Sequence, residues 1–143
     1  MAFNAKLCEF LPVVGTIDPA VIADTPVFGD EIAVADFDEL MFVFSLGAVD
    51  KKVDCAVWED DDGAAGNTQA LKSATQLTAS DDNKQVVINI RPHDLSATFT
   101  HVRARIVCEA AQAAPLSCVV LGANSGPIPT TLADLVTVAE IVP

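Results

Sequence analysis

The sequence predicts an all-β protein, folded as an antiparallel β-sandwich in a single domain. Its apolar segments alternate with a period of two, turn-forming residues separate them, and the central region shows no convincing helical pattern. The chain has 143 residues, 51% of them hydrophobic. This is enough to bury a core without help from disulfides or metals, so we expect one stable domain.

Residues 1–30 look different from the rest. The stretch LPVVGTIDPAVIADTPVFGD contains three prolines and two glycines among isolated apolar residues. Such spacing disfavours a long regular element, yet the segment is too apolar to stay in solvent. We therefore predict an extended N-terminal arm over 1–30, lying either across another surface or around its own core.

The stretch LMFVFSLGAVDKKVDCAVWEDDDG predicts a hairpin. Residues 40–46 alternate with apolar side chains on both faces, which is typical of a central strand. Gly47 to Lys52 would form the turn and residues 53–59 the second strand. The four acids Glu59–Asp62 would be the solvated end of this hairpin.

Three further strands complete the predicted core over 31–122. QVVINI at 85–90 is rich in β-branched residues, and residues 98–109 alternate with arginines on the outward side. LSCVVLG at 116–122 is the returning strand. Residues 123–143 would form a C-terminal tail that packs on the core or on a neighbouring subunit, with a last segment that fits helix or strand.

The charge balance excludes several classes of partner. The formal net charge is −12, and residues 1–63 hold 14 acids and three lysines. Such a surface repels nucleic acid and anionic membranes. No apolar run approaches the roughly 18 residues of a membrane-spanning helix. The N-terminus makes a poor signal peptide, so we expect synthesis in the cytoplasm.

The acidic run suggests calcium as the one metal to consider. Asp60 and Asp62 could begin a calcium loop, and Asp81 and Asp82 could meet them in space. The residues after Gly63 offer no carboxylate to close the coordination shell. The alternatives are a solvated strand end for the first pair and turn formation for the second. We expect no metal and no cofactor, with these four residues as weak calcium candidates.

No pattern in the sequence indicates an enzyme. His93 and His101 have no serine or cysteine nearby in a nucleophile motif, and phosphate-binding glycine loops are absent. The acids crowd into predicted loops, where water keeps them ionised. The four cysteines lack metal-site spacing and are expected to be buried thiols, although Cys108 and Cys118 could face each other across a hairpin.

Arg103 and Arg105 project from the same face of one predicted strand, two residues apart. They could pair with acids of residues 54–62 across the sheet, or with an acidic patch on a second copy. The first of these pairings is the expected one.

Taken in succession, FVFSLGAVDKKVDCAVWEDDDG, ATQLTASDDNKQVVINIRP and HVRARIVCEAAQAAPLSCVVLG resemble small proteins encoded among the virion genes of tailed bacteriophages. The resemblance covers roughly residues 39–123 and a GPIP tail. It implies a jelly-roll-like capsid auxiliary protein, a decoration or cement protein, that binds the outside of an assembled head and bridges capsomers. It also implies the major capsid protein and further copies of the chain, commonly a trimer, as partners, and the virion as location.

Two other functions stay open at this stage. One is a head–tail connector or tail-associated module built on a similar sandwich. The other is a calcium-assisted ligand-binding β module that uses Glu59–Asp62 with Asp81–Asn83.

Overall fold

Nearly all regular structure in the computed structural model is β, and the model describes residues 7–61, 67–125 and 132. One short helix, α1, precedes the strands. The elements are α1 (Leu7–Phe10), β1 (Val13–Ile22), β2 (Val27–Phe28), β3 (Ile32–Ala33), β4 (Glu39–Leu46), β5 (Val53–Asp60), β6 (Thr68–Ser73), β7 (Gln85–Ile90), β8 (His101–Cys108) and β9 (Ala114–Ala123).

The strands form two antiparallel sheets. The four-stranded sheet has the order β1-β9-β4-β7, and the five-stranded sheet has the order β2-β8-β5-β6 with β3 also on β8. The antiparallel pairs are nested: β1 with β9, β2 and β3 with β8, β4 with β7, and β5 with β6. This is the strand order of a jelly roll, a double sheet made from two Greek keys. The predicted all-β, jelly-roll-like sandwich is confirmed.

The predicted hairpin over 40–59 is wrong, because β4 and β5 lie in different sheets. β4 pairs with β7 and β9, whereas β5 pairs with β6 and β8. Each strand buries one apolar face in the same core, so the connection between them crosses the end of the sandwich instead of making a tight turn. Buried Val49 anchors that crossing, and its N–H donates to Asp82 Oδ1.

Cys108 and Cys118 are likewise in different sheets, at the end of β8 and within β9. They therefore do not face each other across a hairpin. The cysteines at 8, 55, 108 and 118 are free thiols, and the last three are buried.

Inward side chains of both sheets make one continuous core. Leu40, Phe42 and Phe44 of β4 are fully buried, and they meet aliphatic residues from β5, β7, β8 and β9. Strict alternation along β4 and β8 produces this layer, as their sequences predict.

Residues 13–28, which fall within the predicted N-terminal arm, contribute two strands to the sandwich. β1 is an edge strand paired with β9, and its register shifts between Val13 and Gly15 and between Ile17 and Ala20. Pro19 lies inside the second shift. An edge strand with bulges tolerates proline. The apolar residues of this segment are therefore irregularly spaced in the sequence, although the segment forms a strand.

The C-terminal segment is described only in part. Asn124 accepts a hydrogen bond from the Asp38 N–H and donates to the Asp36 carbonyl, and the Ser125 N–H donates to Asp38. Leu132 packs against the core. The rest of the predicted tail over 123–143 lies outside the described residues.

The connections gather at two opposite ends of the sandwich. At one end, which we call the Asp82 end, residues 47–52 contact residues 77–84 and 109–112. At the other, the Glu59 end, the last residues of β5 contact residues 91–100. The eight residues of β5 separate these ends by roughly 23 Å.

Candidate functional site

The acidic run begins in the protein interior, not in solvent. Glu59 and Asp60 are 1% and 0% exposed. The Glu59 carboxylate accepts hydrogen bonds from the N–H and Oγ of Ser96, at 2.8 and 2.6 Å, and from the Gln69 amide. The prediction of a solvated hairpin end is therefore wrong for these two acids: Glu59 ties the β7–β8 connection and β6 to the end of β5.

Asp60 pairs with an arginine on the neighbouring strand. Arg103 Nη2 lies 3.7 Å from Asp60 Oδ2, and Arg103 Nη1 lies 3.4 Å from Glu31 Oε1. The guanidinium also lies over the Phe28 ring at 4.3 Å, a favourable cation–π contact. The predicted in-sheet pairing is confirmed for Arg103.

Hydrogen bonding sets the protonation state of Glu59. Burial raises the pKa of this carboxyl, but the hydrogen bonds from Gln69 and Ser96 favour the charged form more strongly. The net pKa is below its usual value, so Glu59 remains a carboxylate that serves as an acceptor. This arrangement suits an anchor and not a general acid.

We expect Glu59→Gln to weaken the dependence of stability on acid pH. Because folding lowers the pKa of Glu59, its stabilisation is fully present above the unfolded-state value of about 4.3 and is lost as pH falls through the folded value. Urea unfolding at pH 7 and pH 3 measures the difference, which should shrink in the variant. Glu109→Gln, at an exposed glutamate, is the control and should keep the wild-type difference. An unchanged difference in Glu59→Gln would contradict the assignment.

The structure does not bring the four calcium candidates together. Asp60 is at the Glu59 end, and Asp81 and Asp82 are at the Asp82 end; Asp62 lies outside the described residues. Asp81 accepts from the Thr78 N–H at 3.0 Å and pairs with Lys84 at 3.2 Å. In the described part of the chain no group of three or more His, Cys, Asp or Glu side chains could hold a metal ion.

The histidines and cysteines do not assemble a nucleophilic centre within the described residues. His101 Nδ1 contacts the Thr100 hydroxyl at 2.8 Å, and exposed His93 lies 3.8 Å from Asp94. Burial raises the pKa of the Cys55 thiol to about 12, with the Asp54 charge adding to the effect. Burial also raises the pKa of Cys108 and Cys118. These thiols are protonated at neutral pH and poor nucleophiles.

The middle of the outer surface of the four-stranded sheet is largely apolar, and its charged residues, Asp18 of β1 and Glu39 at the start of β4, lie at its margins. Val21, Val87 and Val119 are 70%, 54% and 38% exposed, and Val43 lies between Val87 and Val119 in register. We call this surface the aliphatic face. Apart from Asp18 and Glu39 at its margins, its outward residues are Val13, Thr16, Val21, Met41, Val43, Ser45, Gln85, Val87, Asn89, Pro115, Ser117, Val119 and Leu121.

A groove extends the aliphatic face toward the Asp82 end. It has a volume of about 420 Å³ and is lined by Pro19, Ala20, Val21, Ser45, Leu46, Gly47, Pro115, Leu116 and Ser117. None of these side chains is charged. A charge-free surface on a chain of net charge −12 is a departure from the rest of the molecule.

The aliphatic face was not predicted as a site, although its signal is in the sequence. Both faces of residues 40–46 are apolar, and the same holds for VVLG at 119–122. We interpreted this as a strand buried on both sides. The structure buries only one side and leaves the other partly exposed.

The outer surface of the five-stranded sheet carries arginine and aromatic side chains. The Arg105 guanidinium lies 5.0 Å from the Trp58 ring centre and 5.9 Å from that of Phe28. The two rings meet edge to face at 5.7 Å. We call Phe28, Trp58 and Arg105 the Arg105 cluster.

No helix among the described residues is long and apolar enough to cross a membrane.

Comparisons with known proteins assign no family. A scan of protein-family models finds no match, and a search of curated proteins finds none either. Among solved structures, the chain is similar to a chain of Bacillus endospore appendages, described as disulfide-linked pili. The identity is 14% over 87% of this chain and all of that one, with a TM-score of 0.38.

Two structures of infectious bursal disease virus are also similar to the chain. The Gt strain and the VP2 subviral particle show 15% and 17% identity over 82% and 84% of this chain, with TM-scores of 0.38 and 0.39. The chain spans 32% of each viral chain. At these TM-scores the jelly-roll assignment rests on the strand order, not on the similarity.

Proposed function

We propose that the chain is a structural virion protein that binds the outside of an assembled phage capsid and stabilises it by bridging capsomers. The observation that carries this proposal is the aliphatic face, an exposed and largely apolar sheet surface with charges only at its margins, on a strongly acidic protein. Apolar surface of this kind is typical of protein–protein contact sites. The proposed partner is the major capsid protein.

The jelly roll is compatible with this role but does not assign it. Viral capsid domains, lectins and cupins all use the architecture, so the choice among them depends on the site. A sugar needs convergent hydrogen-bonding groups, and a catalytic metal needs clustered ligands. An apolar protein surface matches the aliphatic face better than a sugar or a catalytic metal does.

The size of the aliphatic face favours a contact that is weak for each subunit. Four strands about 4.8 Å apart and roughly 20 Å of strand length give about 400 Å². A stable pairwise complex typically uses about 800 Å² on each partner. Many copies on one particle, each making a modest contact, can still stabilise it because multivalency raises the effective affinity.

Adding the purified protein to particles that lack it tests this function. We expect saturable binding and a higher melting temperature of the particle, because subunits that bridge capsomers must be removed before capsomers separate. Quantitative mass spectrometry of the complete virion should find hundreds of copies. A head–tail connector or tail module would instead give about a dozen copies or fewer, set by the symmetry of the tail. Particles equally stable with and without the protein would overturn the proposal.

A further inference from the structure

We propose that the outer surface of the five-stranded sheet binds a second copy of this chain, with Arg105 of each copy paired with Asp54 of the other. The inference concerns self-association in solution and does not depend on capsid binding.

Arg105 carries a positive charge that forms no ion pair within the described part of the chain. The residue is partly exposed, and its guanidinium makes no ion pair or hydrogen bond to any described residue. Arg103, two residues earlier on the same face, instead forms ion pairs with Glu31 and Asp60. The free guanidinium therefore presents a planar set of donors that suits a carboxylate.

The rings of Trp58 and Phe28 hold the Arg105 guanidinium in place and keep it away from Asp54 of the same copy. Arg105 is opposite Ala56 in register, and Asp54 and Trp58 flank Ala56 along β5. The guanidinium lies over Trp58, on the side away from Asp54, and no ion pair joins Arg105 to Asp54. Stacking fixes the side chain before binding, which lowers the entropy cost of a new contact.

Asp54 supplies the opposite charge on the same surface. It is exposed, and its carboxylate accepts one side-chain hydrogen bond within the described part of the chain, from the Gln76 amide at 3.2 Å, which leaves acceptor capacity on the carboxylate. One unused cation and one available anion on the same face make that face self-complementary. A two-fold axis that brings Arg105 to the partner's Asp54 necessarily makes the reciprocal contact as well.

The composition of the surface also favours a protein partner. Trp and Arg are among the residues most enriched at the energetic centres of protein interfaces, and Phe is enriched at interfaces in general. Between the two charged positions lie buried Ala56 and half-buried Val107, neither of which carries a charge. The net charge of −12 opposes self-association, but at physiological salt this repulsion is screened beyond about 8 Å.

Charge exchange tests the pairing directly. Sedimentation velocity of the full chain at increasing concentration should show a reversible dimer in the wild type. Arg105→Glu and Asp54→Lys should each weaken association about tenfold or more, because both reciprocal contacts become repulsive. An equimolar mixture of these two variants should associate again, since each then offers the charge the other needs. That recovery also shows that both variants are folded.

Arg91→Glu is the matched control, an equal change of charge at an exposed arginine outside the five-stranded sheet. It should associate as the wild type does. Trp58 is the chain's single tryptophan, so its emission should change with concentration and report on this surface. A monomer at every concentration, or a mixture that fails to recover, would overturn the proposal. So would loss of capsid binding in Arg105→Glu with self-association unchanged, because the occupant would then be the capsid.

Discussion

Replacing Arg103 by alanine should lower the free energy of unfolding by about 3 kcal/mol, since removing one partner of a buried ion pair leaves the other charge poorly compensated. The Arg103 side chain is 12% exposed and lies between Glu31 and fully buried Asp60. The variant also loses the packing of the guanidinium on Phe28. Urea unfolding followed by circular dichroism measures the change.

Arg105→Ala is the matched control for this prediction. It removes the same side chain from the same strand face two residues away, where no ion pair is lost. We expect a change within about 1 kcal/mol. Equal losses in the two variants would mean that the Asp60–Arg103–Glu31 contacts contribute nothing specific to stability.

An aspartate on the aliphatic face should abolish particle binding while the protein remains folded. Val119→Asp and Val87→Asp each put a charge where the partner's apolar surface would have to desolvate it. We expect affinity for the particle to fall about 100-fold, which corresponds to about 2.7 kcal/mol. Co-sedimentation with particles that lack the protein measures the binding.

Ala97→Asp is the control for Val87→Asp. Both residues are exposed, and Ala97 lies in the connection between β7 and β8, outside both sheets. Ala97→Asp should bind particles as the wild type does. If it loses binding to the same extent, added negative charge alone is responsible and the aliphatic face has no special role.

Strand positions in the centre of the chain could be predicted because their local pattern matches their environment. β7 and β8 alternate as the sequence indicates, and Arg103 points outward toward Asp60 as expected. Which strands pair with each other could not be predicted from these local patterns. β4 and β5 are neighbours in sequence, but a jelly roll sends each to a different sheet, and no local signal distinguishes a crossing from a turn.

The errors at the two candidate surfaces have a common physical reason. Glu59 and Asp60 lie at a strand end and begin an acidic run before Gly63, so the sequence suggests solvent. In the structure, Ser96 and Gln69 donate hydrogen bonds to Glu59, and Arg103 forms an ion pair with Asp60. At the aliphatic face the error is the reverse, because side chains predicted to be buried are partly exposed. Its valines indicate burial, and only the tertiary structure shows that nothing in the described chain covers Val87.

Electron cryomicroscopy of particles saturated with the wild-type protein tests the central claim most directly. The proposed function predicts density for the jelly roll on the capsid surface, oriented so that the four-stranded sheet and Val119 lie against the capsomers. Two results would contradict the claim that the aliphatic face is the attachment surface. One is density in which the four-stranded sheet faces solvent, and the other is a capsid surface without density for the protein.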